Sequence, residues 1–345
     1  MKKCALFFLS IVVVFSSCSN KFKVGADYKD VTVVYGLLSK SDTANYIKVT
    51  KGFFDETADN LLLASNSDSI YYNNLEVKIE EINNGSIVNT FFLPRVDANL
   101  EGFPKQPGTF ADTPNYAYKF KQNLNPARTY RVVVKNLSNG NLVYAETGII
   151  NDASNVFNSV TPVPIPNFDR LNFDSPNGTY TFEWSSPPNA AFFDVNIRFW
   201  YQEKNTQTNN IVHKYIDLPV VKNVLSSGGS TSGKMSNETF FRTLNSELGP
   251  AAANIVRYID TPDVLILAGG TVLKTYIDVN SAQGGITYDQ IKPNYTNFVG
   301  ENVLGILSTR ATKYVVDVPF GVATIDSIWF GSMTKNLQFA GISSE

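Results

Sequence analysis

A chain of 345 residues with 29 basic and 31 acidic side chains, a net charge of −2 and no basic block is excluded from binding along a nucleic-acid backbone. Charged residues make up only 17% against 13% aromatic; with many Asn, Ser, Thr, Tyr and Val, that balance favours extracytoplasmic β-structure over a helical cytosolic enzyme. The two cysteines are Cys4 and Cys18, the first inside a leader and the second at its end, so the mature domain has no disulfide or free thiol, and cysteine catalysis and thiolate metal sites are excluded.

Lys2 and Lys3 precede an apolar run from Ala5 to Phe15, followed by Ser16, Ser17 and Cys18. The run is roughly half of the about 20 residues a helix needs to cross a bilayer, so residues 1–17 read as a secretory signal. Phe15-Ser16-Ser17-Cys18 resembles a bacterial lipobox in its looser form. The resemblance implies that Cys18 becomes the lipidated first residue, with membrane lipid as its partner and acyl chains as its anchor at about 0.8 kcal/mol per buried CH₂. Ser19, where aspartate would mark inner-membrane retention, points to the outer membrane. Residues 18–30 are polar and read as a tether.

From Val31 to Ile150 short strands alternate with turn signals. VTVVYGLL (31–38) and NYIKVTKGFF (45–54) come first. NLEVKIEEI (74–82) alternates apolar and charged residues, and Asn83-Asn84-Gly85-Ser86 turns it into SIVNTFFL (86–93). After a Pro- and Gly-rich loop (94–114) come YAYKF (116–120), RTYRVVVKNL (128–137) and LVYAETGII (142–150). Strands of this length with Asn-Gly turns predict a sandwich of two antiparallel sheets, immunoglobulin-like in kind.

Pro162, Pro164 and Pro166 mark residues 151–174 as a linker. The second domain, 175–345, opens with GTYTFEW (178–184), whose Trp184 is expected in the core. AFFDVNIRFWYQEK (191–204) alternates strongly and is expected to pair with IVHKYIDL (211–218); these resemble the opening strands of a fibronectin type III-like sandwich. Ser236 as N-cap, Glu238 in the first turn and Phe240, Leu244 and Leu248 at helical spacing predict a helix, with a second helical piece from Pro250 to Tyr258. Strands resume at 263–270, 271–279, 303–310 and 313–320. The expected fold is mainly β: two β-sandwich-like domains, the N-terminal one (31–150) immunoglobulin-like and the C-terminal one fibronectin type III-like with a helical insertion at about 236–258.

Three segments together, NPARTYRVVVKNLSNGNLVYAET (125–147), ETFFRTL (238–244) and LKTYIDVNSAQGG with PNYTNFVGENVLGILSTR (273–310), resemble the uncharacterised two-domain lipoproteins of Bacteroidota. The resemblance spans nearly the whole mature chain, with Leu307 standing where the family pattern has an aromatic. Members are commonly encoded beside TonB-dependent outer-membrane receptors and their substrate-binding lipoproteins, so the resemblance implies these as partners. It supplies no catalytic residue and no cofactor.

Chemistry-bearing residues are sparse. His213 is the single histidine and reads as an ordinary strand residue on the face of Ile211 and Tyr215. GGSTSGK (228–234) has phosphate-loop spacing, but Met235 replaces the magnesium-binding hydroxyl and no βαβ pattern surrounds it; it reads as a loop. Glu80 and Glu81 point to opposite strand faces, and Asp260 and Asp263 flank a Thr-Pro turn. Asp42-Thr43-Ala44, Asp68-Ser69-Ile70 and Asp326-Ser327-Ile328 resemble a short O-glycosylation signal.

Aromatic residues are the better candidates for binding. Trp200 shares the polar face of its strand with Asn196 and Arg198, and the competing reading packs it on the other domain or on the helix. Tyr71-Tyr72 and Phe91-Phe92 should each expose one ring. The candidate ligand-binding residues are therefore Trp200, Arg198, Tyr71 and Tyr72. The expected function is a non-enzymatic accessory binding or assembly component of a TonB-dependent uptake system, against two alternatives: a glycan or peptide hydrolase with carboxylates assembled by the fold, and a surface adhesion protein.

Overall fold

The computed structural model describes residues 31–52, 60–163, 169–174, 177–281 and 295–342. The leader, Cys18, the tether, Phe53 and Phe54 lie outside the described residues. No helix among the described residues is long and apolar enough to cross a membrane.

The protein is mainly β, its sheets packed face to face over two hydrophobic cores. β1 (Val31–Leu38) and β2 (Asn45–Gly52) form a hairpin, and two short helices follow, α1 (Asn60–Ser65) and α2 (Ser67–Ile70). Then come β3 (Leu75–Asn83), β4 (Ser86–Phe92), β5 (Arg95–Asp97), β6 (Tyr116–Phe120), β7 (Thr129–Asn136) and β8 (Leu142–Gly148). The hairpin between β3 and β4 turns at Asn84 and Gly85, both in the left-handed region as the Asn-Gly pair demands. β4, β3, β7 and β8 make a four-stranded antiparallel sheet in that order.

The rest of the chain adds β9 (Ser159–Thr161), β10 (Thr179–Ser185), β11 (Phe192–Asn205), β12 (Ile211–Leu225), β13 (Ser230–Ser236), α3 (Asn237–Leu248), β14 (Ile255–Ile259), β15 (Asp263–Gly269), α4 (Thr271–Ser281), β16 (Val303–Val315), α5 (Val322–Phe330) and β17 (Phe339–Ile342). β13, β10 and β9 form a small sheet, and the remaining strands form one large sheet in the order β17-β14-β11-β15-β16-β1-β2-β6-β5, with β12 also pairing β11. β16 joins the two parts of this sheet. Its residues Val303–Thr309 run parallel to β1 and its residues Arg310–Val315 pair antiparallel with β15.

One core lies between the four-stranded sheet and β1, β2, β6 and β16: Val77, Ile79, Tyr130 and Val132 face Val34, Leu38, Ile47 and Phe120, and Phe298, Val303 and Leu307 join them. The other lies between β10 and β13 on one side and β11, β12 and β15 on the other, with α3 beside them. Trp184 is fully buried there, as expected, edge-on to Phe193 at 5.4 Å. Helix α3 starts where the capping signal predicts, Ser236 accepting from the Thr239 amide, and its Phe240 stacks on Phe173 at 4.1 Å.

Several local expectations are corrected. The run 250–258 holds no second helical piece: from Ile255 on it belongs to strand β14, where Ile255, Val256 and Ile259 are β-branched and pairing with β11 decides the outcome. The run 271–279 is helix α4 rather than a strand. Leu273 and Tyr276 turn one way at helical spacing, and Lys274 pairs with Asp278 one turn on at 2.5 Å. β16 is one strand where the sequence pattern suggests two. In the run 151–174, Phe157, Leu171 and Phe173 are fully buried in the second core and β9 pairs β10.

Candidate functional site

β1 is apolar on both faces, and this places the site. Val34 and Leu38 point into the first core, while Tyr35 and Leu37 point to the opposite face of the large sheet and stay partly exposed. On that outer face Tyr35 stands beside Lys48 of β2 and Ile306 of β16. Helix α4 rises on one side of this row, bringing Leu273 and Tyr276, and Phe103 stands on the other. The turn carrying Asp42 and the side chain of Arg310 close one end. The result is a groove of about 760 Å³, within the about 300–1,000 Å³ typical of small-ligand sites.

Its lining is aromatic and hydroxylated. The Tyr35 and Tyr276 hydroxyls lie 3.3 Å apart and their rings meet edge to face at 6.1 Å. Burial, with the Tyr276 hydrogen bond added, pushes the Tyr35 hydroxyl up to about 12, so it stays protonated. The Tyr46 hydroxyl donates to Glu101 Oε2 at 3.2 Å and its ring meets Phe103 edge-on at 5.2 Å. Arg310 Nη2 reaches Asp42 Oδ2 at 2.5 Å. Among the described residues Asp42 is the single carboxylate in the lining, and it is ion-paired.

Beside the groove Lys48 donates to the Tyr71 hydroxyl at 2.9 Å and to Asn115 Oδ1, and sits 5.0 Å from the Tyr71 ring centre. Burial lowers its pKa to about 8, with repulsion from Lys105 adding and Asp97 opposing. Between that value and the ordinary 10.5 the folded chain holds fewer protons here than the unfolded chain, so the Lys48 contribution to stability rises with pH across this window. In a ¹³Cε NMR titration, the signal lost in Lys48→Met is expected to titrate near 8; a midpoint at the ordinary lysine value would show a solvated ammonium.

The structure keeps two predicted residues together and separates the others. Arg198 and Trp200 lie on the outer face of β11, where Arg198 Nε and Nη2 hold Asp217 Oδ1 and Oδ2 at 2.8 and 2.9 Å. The guanidinium lies 4.4 Å from the Tyr215 ring centre, and the Trp200 and Tyr215 rings are 4.8 Å apart. The Trp200 indole N–H donates to Asp263 Oδ2 at 2.9 Å. Trp200 therefore packs on its own sheet, not on the helix, which lies beside the second core.

Tyr71 and Tyr72 are only 4% and 6% exposed, against the expectation that one ring would be open. They follow helix α2 instead of lying in a strand, so faces do not alternate; the Tyr72 hydroxyl meets Thr32 Oγ1 at 3.1 Å. Phe92 is exposed while Phe91 packs against the first core, as alternation predicts. His213 is exposed on β12. GGSTSGK is largely strand β13, paired with β10, rather than a loop.

Glu80 is buried between Lys78 and Arg131, and Glu81 lies by Arg128. Among the described residues no group of three or more His, Cys, Asp or Glu could hold a metal. Sequence reasoning missed Tyr35, Tyr46, Tyr276 and Arg310. The available signal was β1 itself, apolar in consecutive positions, which marks a strand covered on both faces.

No family model matches the chain, and no curated protein matches it in sequence. Among solved structures it is similar to the C-terminal globular domain of an oligosaccharyltransferase from Pyrococcus abyssi, with 10% identity and a TM-score of 0.21 over 67% of this chain. The chain covers 47% of that structure, under half its length. A likeness at this level carries neither fold nor function.

Proposed function

We propose that the chain is a non-enzymatic binding component, held to the outer membrane by lipid on Cys18 and acting beside a TonB-dependent receptor. The aromatic groove on the outer face of β1, β2 and β16 is its ligand seat. The observation that carries the binding reading is the groove lining, where, among the described residues, four aromatic rings accompany a single carboxylate already neutralised by Arg310. A glycosidase of the usual kind needs two carboxyl groups flanking the scissile bond, in different protonation roles, and the described residues of the lining offer one. The leader sequence supports the anchor, and the family resemblance supports the receptor.

The detergent-solubilised, lipidated full chain is expected to co-purify with a TonB-dependent receptor from its own membranes, and a protein that runs alone contradicts the reading. Cys18→Ser is expected to abolish incorporation of labelled fatty acid and to remove the protein from the outer-membrane fraction. Persistence of label would place the lipid elsewhere. The adhesion reading is favoured by one observation: β4 is an edge strand that exposes Ile87, Val88 and Phe92. It predicts concentration-dependent self-association in analytical ultracentrifugation that Val88→Lys abolishes.

A further inference from the structure

We propose that the groove and the Arg198–Trp200–Tyr215 platform are two subsites for one elongated, uncharged oligosaccharide lying along the outward row of β16. The inference rests on the groove being a ligand seat and extends it to a ligand class and a second contact.

Four observations converge. The first is placement. β16 contributes Ile306 and Arg310 to the groove, and alternation carries the same outward row on through Thr312 to Tyr314. Tyr314 pairs with Leu265, which pairs with Asn196 of the platform strand. Arg310 is level with Phe192 through Gly269, and Trp200 lies eight residues further along that strand, about 26 Å at the roughly 3.3 Å rise of a strand, a span that an extended chain of several sugar rings covers and a disaccharide does not. Tyr314 and Tyr215 are 55% and 50% exposed, so the platform end is open.

The second observation is charge. Each subsite has one arginine and each arginine is held by an aspartate, Arg310 by Asp42 and Arg198 by Asp217. Neither arginine is left free to attract an acidic ligand, and the Asp263 carboxylate at the platform, which accepts from the Trp200 indole and the Asp317 amide, adds to the repulsion of one; ion-paired guanidinium and carboxylate groups still present donors and acceptors to hydroxyls.

The third is the mode of contact. The strand edges beneath the groove are occupied, β1 lying between β16 and β2, so a peptide cannot add as a further strand. What remains is ring faces and hydroxyls, which match the apolar C–H faces and rim hydroxyls of a pyranose. The fourth is rigidity. Trp200 is fixed by its bond to Asp263, and Arg198 by two bonds to Asp217, so the platform is set before the ligand arrives.

The test uses the full mature chain in detergent and calorimetric titration with di- to hexasaccharide series of uncharged α-glucan, β-glucan, xylan and mannan. Oligogalacturonates and a pool of hexapeptides serve as charged and peptide probes. For at least one uncharged series, the hexamer is expected to bind about tenfold or more tightly than the dimer, the gain of one good aromatic contact. Trp200→Ala should remove that gain, while Tyr276→Ala should weaken dimer and hexamer binding alike. Unaltered melting curves establish that the variants are folded. Hexamer and dimer binding alike, or a silent Trp200→Ala, would overturn the second subsite and leave the groove reading standing. Binding of oligogalacturonate or peptide in place of every uncharged series would overturn the ligand class alone. Failure of all probes would overturn both the class and the groove as ligand seat, while the receptor co-purification is read out independently.

Discussion

Gly305→Ala is expected to destabilise the protein by about 2–5 kcal/mol, the sum of an overpacking cost of about 1–3 kcal/mol and a left-handed backbone cost of about 1–2 kcal/mol. Gly305 has φ +100, and a Cβ there would stand 1.9 Å from the carbonyl oxygen of Val34, its neighbour in the parallel β1–β16 pairing. That oxygen is backbone in a central strand and cannot swing aside. Gly140→Ala is the control: φ is +78, but no atom lies within 4 Å of the added Cβ, so only the backbone cost of about 1–2 kcal/mol applies. Urea titration of both variants separates the terms, and equal losses would show that the seam accommodates a methyl group. Because Tyr35 and Ile306 flank this pair, any distortion at Gly305 is also expected to weaken ligand binding in the groove.

Arg257→Ala is expected to cost about 3–5 kcal/mol, the range for breaking a buried ion pair. Arg257 is 5% exposed. It donates to Glu203 Oε1 at 3.1 Å, to the Gly249 carbonyl at 2.8 Å and to the Leu337 carbonyl at 3.3 Å. One side chain thus ties β11, the end of α3 and the segment leading to β17 together. Burial raises the pKa of Glu203, but hydrogen bonds from Lys214 and Arg257 outweigh it and hold the group below its ordinary value. A depressed carboxylate stabilises above its unfolded pKa of about 4.3 and loses that contribution as pH falls through the folded value. The gap between wild type and Arg257→Ala is therefore expected to narrow below about pH 4. Urea midpoints measured from pH 3 to 7 check this, and a constant gap would show that Glu203 is not linked to Arg257.

Where a segment's environment is local, its sequence states its structure. β3 alternates because one face meets the core and the other meets Arg131 and its partners, and α3 begins at Ser236 because that hydroxyl caps it. The helix at Thr271–Ser281 was hidden because Val272, Thr275 and Tyr276 are also good strand formers. β14 was hidden for the converse reason, since only its position beside β11 distinguishes it. The site was harder to read, because Tyr35, Tyr46, Tyr276 and Arg310 are brought together by pairings between distant strands and by the placement of one helix. Arg198 and Trp200 were legible because alternation within a single strand places both on its polar face.

The parallel pairing of β1 with β16 also fixes an order of events in time. Val31–Leu38 is the first described strand and its partner Val303–Thr309 is among the last, so a chain delivered amino end first exposes β1 with one edge unsatisfied until almost all of the chain has followed. The first core is in the same position, since Phe298, Val303 and Leu307 complete it. Contacts of such sequence separation close late and slowly. A chain cut short before Val303 therefore lacks the strand that closes the first core and joins the two parts of the large sheet, and the groove is complete only once the chain extends through Arg310.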